Sequence, residues 1–501
     1  MKDQFEHIKT ELLYNESHSD LSNLQKGKDI FENLSNLNDV LSDYNVATLS
    51  TMMLVLLNNE DSELGISEVT YNKVLAFIDE LVAIQIESIT DNELFRKLKA
   101  NWKQIFELNS EMHKNTNITL FDVSKKALKE ELAEDRYTLT KSSLYNKIYT
   151  EEYGTYGGEP YGLLCGLYDM ENTADDISFL VSMGNIAKLA HSPFIASIDN
   201  NFFGINKEQF SEIRNFEDFM QHPKFNDWNS FREMEIASYI GLTFGKYILD
   251  LPKDPTNNPC QHPLIKNFKS SHDYLDSENF LWGYSSILFA KNVMRSFEKS
   301  GWFQHIRGPE NGGLVTGLNY PKVIGDNFVE TRNSVDVLIP DYLELSLSKV
   351  GFMSLVMNKS LDKACFFNVQ SAKKVIDDFE DDFDSANSAL VANLSYVMCV
   401  SKIAHYIKCV IREKIGSVVS KDIISDIITS WINNYVTIIE SPNIMEMARF
   451  PFKYVNVDIN PVPGKPGWYS SSIEILPHIQ FEGLNVKMKL ESRLDPQLFN
   501  K

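Results

Sequence analysis

The pair of residues in this sequence that most resembles a ligand set is His405 with Cys409. The two lie four residues apart in a segment with helical periodicity, so their side chains would share one face of a helix. Zinc takes three or four protein ligands, and no further ligand converges on this pair in the sequence. The pattern therefore predicts no metal site.

Two glycine clusters, Gly157-Gly158 and Gly312-Gly313, have the composition of phosphate-binding loops. Neither is followed by the Lys-Ser/Thr pair that completes such a loop, and no G-x-G-x-x-G follows a strand. No G-x-S-x-G or H-E-x-x-H motif is present either. We therefore expect turns at both clusters and no cofactor. Carboxylates that are distant in sequence can still meet in a fold, so a soluble enzyme with an unrecognised active site stays open as an alternative function.

The chain that would carry any such site is large and acidic. Its 501 residues include 48 Lys and Arg against 69 Asp and Glu, which gives a net charge of −21. Each phosphate contact needs a basic side chain, so we expect no nucleic acid partner. The densest apolar run, 52–57, is much shorter than the about 20 residues that cross a bilayer. With no signal peptide at the N-terminus, we expect no membrane insertion and a cytoplasmic location.

The composition predicts a folded, reduced protein. Hydrophobic residues make up 43% of the chain, which is ample for a packed core, and the length suggests roughly three units at about 150 residues each. The cysteines are odd in number, widely spaced and set in apolar surroundings, which favours reduced core thiols. They are Cys165, Cys260, Cys365, Cys399 and Cys409.

Residues 1–65 are predicted to form an N-terminal helical arm. Phe5, Ile8 and Leu12 follow helical spacing and form one short apolar face. That face could dock on a partner or cap the chain's own domain, and both interpretations stay open.

Residues 66–370 are predicted to form a mixed α/β core. Leu94, Leu98, Trp102 and Ile105 make an apolar helical stripe, and Thr90 with Glu93 has the spacing of a capping box. Residues 118–123 alternate like a short strand, and a helix is expected over 124–134. Strands and helices mix between 153 and 355, which predicts a mixed sheet with helices packed on it.

Residues 371–440 are predicted to form a long-helix region. Six acids crowd into 377–384 and favour a helix N-terminus. Apolar residues then recur every three or four positions from Leu390 to Ile411, which predicts one long helix that is buried along one side.

Residues 441–501 are predicted to form a C-terminal β segment of three antiparallel strands. In the last strand, Leu484, Val486, Met488 and Leu490 alternate with polar residues that include Lys487 and Lys489. The edge of such a sheet can accept a strand from another chain. It can equally be protected by its lysines, and both interpretations stay open.

Several segments, taken together and in order, resemble the large subunit of the contractile sheath of type VI secretion systems, the TssC/VipB family. The resemblance runs from about residue 71 to 494. The segments in this order are together much more specific than any one of them. The segments are LKANWK (98–103), YGTYGGEPYG (153–162), AHSPF (190–194), WNSFRE (228–233), LWG (281–283), GW (301–302), IRG (306–308), GG (312–313), AHYIK (404–408), PGKPG (463–467) and PHIQ (477–480).

The resemblance implies an α+β, tail-sheath-like fold and a structural rather than enzymatic role. Family members pair with a small sheath subunit (TssB/VipA-like). The heterodimers stack, with further copies, around an inner tube (Hcp-like) on a baseplate, and contraction propels effectors. Some members are recycled by an AAA+ unfoldase, which makes Phe5, Ile8 and Leu12 candidate docking residues for a partner or that unfoldase. Added strands link neighbouring subunits, which assigns that role to Leu484, Val486, Met488 and Leu490.

The sequence also departs from the family pattern. Phe244-Gly245 and Asp250-Leu251-Pro252-Lys253 stand where members usually have Leu-Pro and Arg-Leu-Pro-Tyr. These differences suggest a divergent branch that is similar to the IglB-like systems. A cytoplasmic scaffold or adaptor is the remaining alternative function.

Overall fold

The computed structural model describes most of the chain beyond residue 81. The described residues are 82–134, 138–210, 212–261, 265, 268–324, 329–376, 382–414, 421–437, 439, 443–461, 469–478 and 488–493. The chain divides into two compact units, one of residues 1–91 with 253–271 and the other of 92–252 with 272–501. Both helices and mixed sheets are present, which confirms the predicted α+β class.

In the described part of the first unit, a helix spans residues 82–90. The buried carboxylate of Glu87 accepts hydrogen bonds from Ser270 Oγ at 2.7 Å and from Ser271 Oγ at 2.6 Å. The Ser271 amide donates to the same carboxylate. A buried charge needs such partners, so Glu87 fixes the helix to the 253–271 segment.

Among the described residues, the second unit contains the longer helices and all the named strands. Its principal helices are Glu93–Ser110 (α1), Lys125–Glu134 (α2), Ala174–Ala190 (α3), Asn226–Glu233 (α4), Ser285–Ser300 (α5), Asp341–Lys349 (α6), Asp382–Val391 (α7), Leu394–Lys414 (α8), Lys421–Asn433 (α9) and Ile444–Arg449 (α10). A π-helix spans Asn146–Tyr153. Short helical turns are Leu139–Lys141, Ser143–Tyr145, Asn200–Phe203, Lys207–Phe210, Phe216–Phe219, Pro223–Phe225, Glu235–Tyr239 and Ser277–Asn279.

A six-stranded mixed sheet forms the centre of this unit. The strands of the unit are Leu164–Met170 (β1), Phe194–Ile198 (β2), Ile240–Phe244 (β3), Lys246–Asp250 (β4), Leu281–Tyr284 (β5), Leu314–Thr316 (β6), Lys322–Ile324 (β7), Val329–Thr331 (β8), Phe352–Met357 (β9), Lys363–Phe366 (β10), Phe452–Pro461 (β11), Tyr469–Pro477 (β12) and Met488–Arg493 (β13). The central order is β1-β2-β3-β9-β10-β6. β1, β2, β3 and β9 run parallel, whereas β10 is antiparallel to both β9 and β6.

The core lies on both faces of this sheet, because every residue of β2 and β3 is buried. On one face the Trp228 ring stacks on Phe352, with ring centroids 5.0 Å apart. On the other face Phe289 packs edge-on against Phe366. Strands buried on both faces are nearly continuously apolar rather than alternating, which is the pattern of FIASI in β2, where Ser197 is the one polar residue.

The predicted single long helix is wrong, because the chain breaks between α7 and α8. Asn393 forms an antiparallel bridge with Gln370, and the Leu394 amide donates to the Val369 carbonyl at 3.0 Å. These backbone groups are therefore unavailable to a continuous helix. The apolar periodicity passes through the break unchanged, so the pattern alone could not locate it.

Two local predictions also fail. Residues 118–123 belong to no strand, because no neighbouring backbone in the described residues forms a ladder with them. The N-cap of α1 is Asn92, whose Oδ1 accepts from the Leu94 amide at 3.0 Å. Thr90 still belongs to the preceding helix, and its hydroxyl bonds back to the Glu87 carbonyl.

Three antiparallel strands, as the alternation predicts, lie near the C-terminus in the order β11-β12-β13. All five cysteines are free thiols. Among the described residues, no helix has the length and apolar composition that a membrane span requires.

Candidate functional site

The glycine pair of the 312–313 motif permits a close approach of backbones. A Cβ at Gly312 would lie 2.1 Å from the His305 carbonyl oxygen, and one at Gly313 would lie 2.4 Å from the Phe366 carbonyl oxygen. Gly312 also has a positive φ of 84°, which favours glycine. The pair therefore locks the 305–313 loop onto β10 and has a structural role.

The WNSFRE motif anchors the end of α6. Trp228 Nε1 donates to the Val350 carbonyl at 3.3 Å. The buried Arg232 guanidinium donates to the Ala372 carbonyl at 3.2 Å and to the Lys349 carbonyl at 2.5 Å. Carbonyls at a helix C-terminus lack partners within the helix, and this arginine supplies one.

The arrangement closest to an enzyme site lies at the carboxyl ends of the parallel strands, where open α/β sheets usually bind ligands. Lys246 Nζ is 2.7 Å from an Asp169 oxygen and 3.1 Å from an Asp199 oxygen. The Lys246 amide donates to Asp336 at 2.6 Å. Burial raises the pKa of Asp169 to about 6. The lysine ammonium thus occupies the centre of the carboxylates and ties the strand ends together.

His405 and Cys409 do not form part of a metal centre in the described structure, where no group of three or more His, Cys, Asp or Glu side chains converges. His405 Nε2 lies 2.8 Å from the Ala190 carbonyl oxygen, and Cys409 is 3.5 Å from an Arg412 nitrogen. Burial lowers the pKa of His405 to about 4 and that of His191 to about 3. Both rings are therefore neutral packing groups near pH 7.

An aromatic clasp joins the π-helix to α8. Lys408 Nζ lies 3.6 Å from the centre of the Tyr153 ring and 4.4 Å from that of Tyr149. Arg412 donates to the Tyr153 carbonyl at 3.1 Å. Burial lowers the pKa of Lys408 to about 8. A desolvated cation over aromatic rings stabilises such a junction, so the AHYIK motif has a packing role.

The described residues offer little room for a small ligand. A small depression has a cavity volume of about 20 Å³ and is lined by residues that include Glu107, Tyr247 and Lys291. A single water molecule needs about 10–15 Å³. This depression would hold one water rather than a substrate.

The C-terminal sheet places part of the predicted strand-pairing set at an edge. Met488 lies opposite Ile475, and Leu490 lies opposite Ile473, in the β12–β13 register. Opposite residues share one face of an antiparallel sheet, and Ile475 on that face is buried. Within the described residues β13 pairs only with β12, so its other edge is open. Leu484 and Val486 lie outside the described residues.

The other predicted docking residues, Phe5, Ile8 and Leu12, also lie outside the described residues. The structure instead reveals a surface that the sequence pattern did not assign, on α1. Four large apolar side chains on this helix are between 54% and 77% exposed, and we call them the α1 ridge. They are Leu94, Leu98, Trp102 and Phe106.

The polar side of α1 faces the body of its unit. Gln104 is fully buried, and its Oε1 accepts from the Tyr284 amide at 2.6 Å. Glu107 accepts from the Tyr247 hydroxyl at 2.8 Å. A surface helix normally buries its apolar stripe, and α1 does the reverse. The helical spacing of the ridge was visible in the sequence, whereas its outward orientation depends on polar partners elsewhere in the chain.

Two family models match this chain. One is described as EvpB/VC_A0108, tail sheath N-terminal domain, and covers residues 72–373. The other is described as EvpB/VC_A0108, tail sheath gpW/gp25-like domain, and covers residues 383–494.

A curated relative and a solved structure are also similar. The chain is 33% identical over 429 residues to the type VI secretion system sheath protein TssC1 of Pseudomonas aeruginosa (strain PAO1). The aligned residues cover 84% of this chain and 85% of that protein. A chain in the cryo-EM structure of the anti-feeding prophage baseplate aligns with a TM-score of 0.34 and 10% identity, over 77% of this chain and 81% of its own length.

Proposed function

Because the chain belongs to the EvpB/VC_A0108 tail sheath family and is thus a structural subunit of the contractile sheath of a type VI secretion system, we propose that it joins its neighbours by strand addition at β13. The outer edge of β13, which is open within the described part of the chain, carries this proposal. Unpaired backbone N–H and C=O groups at such an edge can accept a strand from another chain.

The pairing strand comprises Leu484, Val486, Met488 and Leu490, and the added strand comes from another sheath subunit. The strand's alternation supports this role, because Met488 and Leu490 lie in register with the apolar residues of β12. The backbone edge then supplies the hydrogen bonds, while the apolar face holds the strand on its own sheet.

The remaining partners follow from the sheath role. The chain forms a heterodimer with a small sheath subunit (TssB/VipA-like) and assembles with further copies of itself around an inner tube protein (Hcp-like) on a baseplate. It works in the bacterial cytoplasm, in a sheath attached to an envelope-anchored baseplate. A partner or a recycling AAA+ unfoldase docks on Phe5, Ile8 and Leu12. The strongly acidic chain binds no nucleic acid and does not insert into a membrane.

The domains divide this work. Residues 1–65 form the arm, 66–370 the sheath core, 371–440 a helical region that contains the break between α7 and α8, and 441–501 the β segment for pairing between subunits. The role is mechanical rather than enzymatic. The carboxylates at the strand ends support this, because they surround Lys246 rather than a free cleft.

The proposal is tested by changing the β13 strand in the assembled complex. The double variant Val486→Pro with Met488→Pro deletes two backbone donors and fixes φ at both positions. We expect the heterodimer to remain purifiable and sheath tubes to disappear from negative-stain images. Val486→Ala with Met488→Ala is the matched control, because it shortens both side chains but keeps both amides. Normal tube length in the proline variant, or loss of the small subunit from it, would reject strand addition at this edge.

A further inference from the structure

The tip of the 305–313 loop carries a reactive pair of residues. Asn311 is the one asparagine of the chain that glycine follows. Both Asn311 and Gly312 are exposed and lie in a turn. Among the described residues, none forms a hydrogen bond with the Gly312 amide or with the Asn311 side chain. The Asn311 carboxamide and the neighbouring backbone nitrogen are therefore both accessible and unrestrained by partners.

The close packing of this loop requires glycine at position 312. A Cβ there would lie 2.1 Å from the His305 carbonyl oxygen, and the φ of Gly312 is 84°. A side chain after an asparagine shields the backbone nitrogen that joins the two residues and restricts its conformation, whereas glycine does neither. The feature that locks the loop onto β10 therefore also leaves the Gly312 nitrogen open to reaction with the Asn311 carboxamide.

The reaction available to this pair is ring closure followed by hydrolysis. Base removes the proton of the Gly312 amide, and the nitrogen then forms a bond to Asn311 Cγ. The Cγ–Nδ2 bond breaks, and the Nδ2 group takes up a proton and leaves as ammonia. Water opens the resulting succinimide ring at either carbonyl. Opening at Cγ gives aspartate, whereas opening at the original main-chain carbonyl gives isoaspartate, in which the main chain runs through Cγ.

The two products differ in their effect on the loop. Aspartate keeps the length of the main chain and places its carboxylate in solvent, whereas isoaspartate inserts an extra main-chain carbon before Gly312. The loop is closed tightly around this point, because the Gly313 amide donates to the Gly308 carbonyl at 2.9 Å. The Gly308 amide donates to the Phe366 carbonyl at 2.7 Å, and the Phe366 amide donates to the Gly313 carbonyl at 3.0 Å. The extra carbon would displace these backbone groups from one another.

We propose that Asn311 is a site of spontaneous deamidation and that its isoaspartyl product releases the 305–313 loop from β10. β10 pairs with both β9 and β6 in the central sheet, so the release weakens the sheet at this end. The reaction proceeds in every subunit without an enzyme. The altered fraction therefore rises with the age of the protein, which goes beyond the sheath role itself.

The deamidation step is tested by ageing the purified full-length chain at mildly alkaline pH and mapping its peptides by mass spectrometry. Asn358 is the internal control, because it is also exposed but precedes Lys359, and its Oδ1 accepts from the Ser360 amide at 3.2 Å. Asn311 should convert at least about tenfold faster than Asn358, since glycine lowers the barrier to ring closure. Asn311→Gln should not convert on this timescale, because glutamine must close a larger ring. No conversion at position 311, or equal rates at the two asparagines, overturns the proposal.

Release of the loop is tested with trypsin, which cleaves after arginine. The bond that follows Arg307 is held by the Gly308 contact with Phe366, and cleavage of such a segment reports how often it opens. Isoaspartate in the aged chain is quantified by methylation with an isoaspartyl methyltransferase. The aged chain should be cut at Arg307 several-fold faster than the fresh chain, in proportion to its isoaspartate.

Asn311→Asp is the matched control for loop release, because it carries the same new charge on a main chain of unchanged length. It should be cut at Arg307 at the rate of the fresh wild type. If the isoaspartyl chain is cut no faster than Asn311→Asp, the loop stays locked and the second half of the proposal is wrong. Faster cutting of Asn311→Asp than of the fresh wild type would assign the release to charge and would equally overturn the role of isoaspartate.

Discussion

The central six-stranded sheet and the C-terminal three-stranded sheet differ in how far they are covered by the rest of the chain. The central sheet is covered on both faces, and β2 and β3 are buried at every residue. The C-terminal sheet ends in β13, whose outer edge is open within the described residues. An open edge is a liability unless another chain covers it. The first sheet therefore establishes the fold of one subunit, and the second is suited to joining subunits.

The helices show the same contrast. α3 is buried along much of its length under the central sheet, including Phe179 and Leu180. α1 buries Gln104 and exposes the α1 ridge. Amphipathicity alone cannot distinguish the two cases, because a helical stripe has the same spacing whether it faces a core or a partner. What distinguishes them is the set of polar contacts that fixes rotation.

The largest effect is expected in the central sheet. Trp228→Ala would remove the ring that stacks on Phe352 and the hydrogen bond to Val350. A cavity at a fully buried aromatic costs about 3–5 kcal/mol of unfolding free energy, measured by denaturant titration of the isolated chain. Trp102→Ala on the exposed ridge should cost less than about 1 kcal/mol in the isolated chain. Equal losses for the two tryptophans would contradict the contrast between a buried core and an exposed surface.

The sequence predicts the fold class and the C-terminal strands well. Their alternation reports directly on which face is covered, and Val455, Val457 and Ile459 lie within β11. Prediction from the sequence fails where pairing with residues distant in the chain determines the local secondary structure. The break at Asn393 exists because Gln370 bridges it. Residues 118–123 are no strand, because no neighbour among the described residues pairs with them.

The candidate surfaces divide in the same way. Strand pairing at Met488 and Leu490 could be proposed from alternation, because the signal is local. The outward orientation of α1 could not, since Tyr247, Asp250 and Tyr284 hold it from positions about 140–180 residues away in sequence. Distant partners of this kind leave no periodic signal in the helix itself.

A smaller effect is expected from the buried histidines. His191 and His405 have folded-state pKa values of about 3 and about 4, against an ordinary value of 6.5. The unfolded chain therefore binds more protons than the folded chain between about pH 4 and 6.5, so stability falls as the pH falls through this window. Each histidine contributes a slope of up to about 1.4 kcal/mol per pH unit. Asp169, whose pKa burial raises to about 6, opposes part of this slope.

His405→Gln keeps a donor for the Ala190 carbonyl and removes the titrating ring. In the wild type the unfolding free energy falls between pH 6.5 and 5. We expect this fall to be smaller in the variant by the contribution of one histidine, measured by denaturant titration at each pH. An unchanged slope in His405→Gln would mean that this ring is protonated in the folded protein, which would reopen a chemical role for it.

The smallest effect is expected from substitutions in the edge strand β13. They decide whether the edge accepts a strand from another chain or is protected by its lysines. Lys489 lies opposite Glu474 in the β12–β13 register, and opposite charges in such a pair contribute about 0.2–1 kcal/mol. Lys489→Glu places two like charges opposite each other, so it should lower the unfolding free energy. The loss should be less than about 1 kcal/mol. If the edge accepts a neighbour's strand through its backbone, tubes should still form, with shorter mean length in micrographs. If the lysines instead protect the edge, a Lys487→Ala with Lys489→Ala variant should aggregate more in light scattering and leave tube length unchanged.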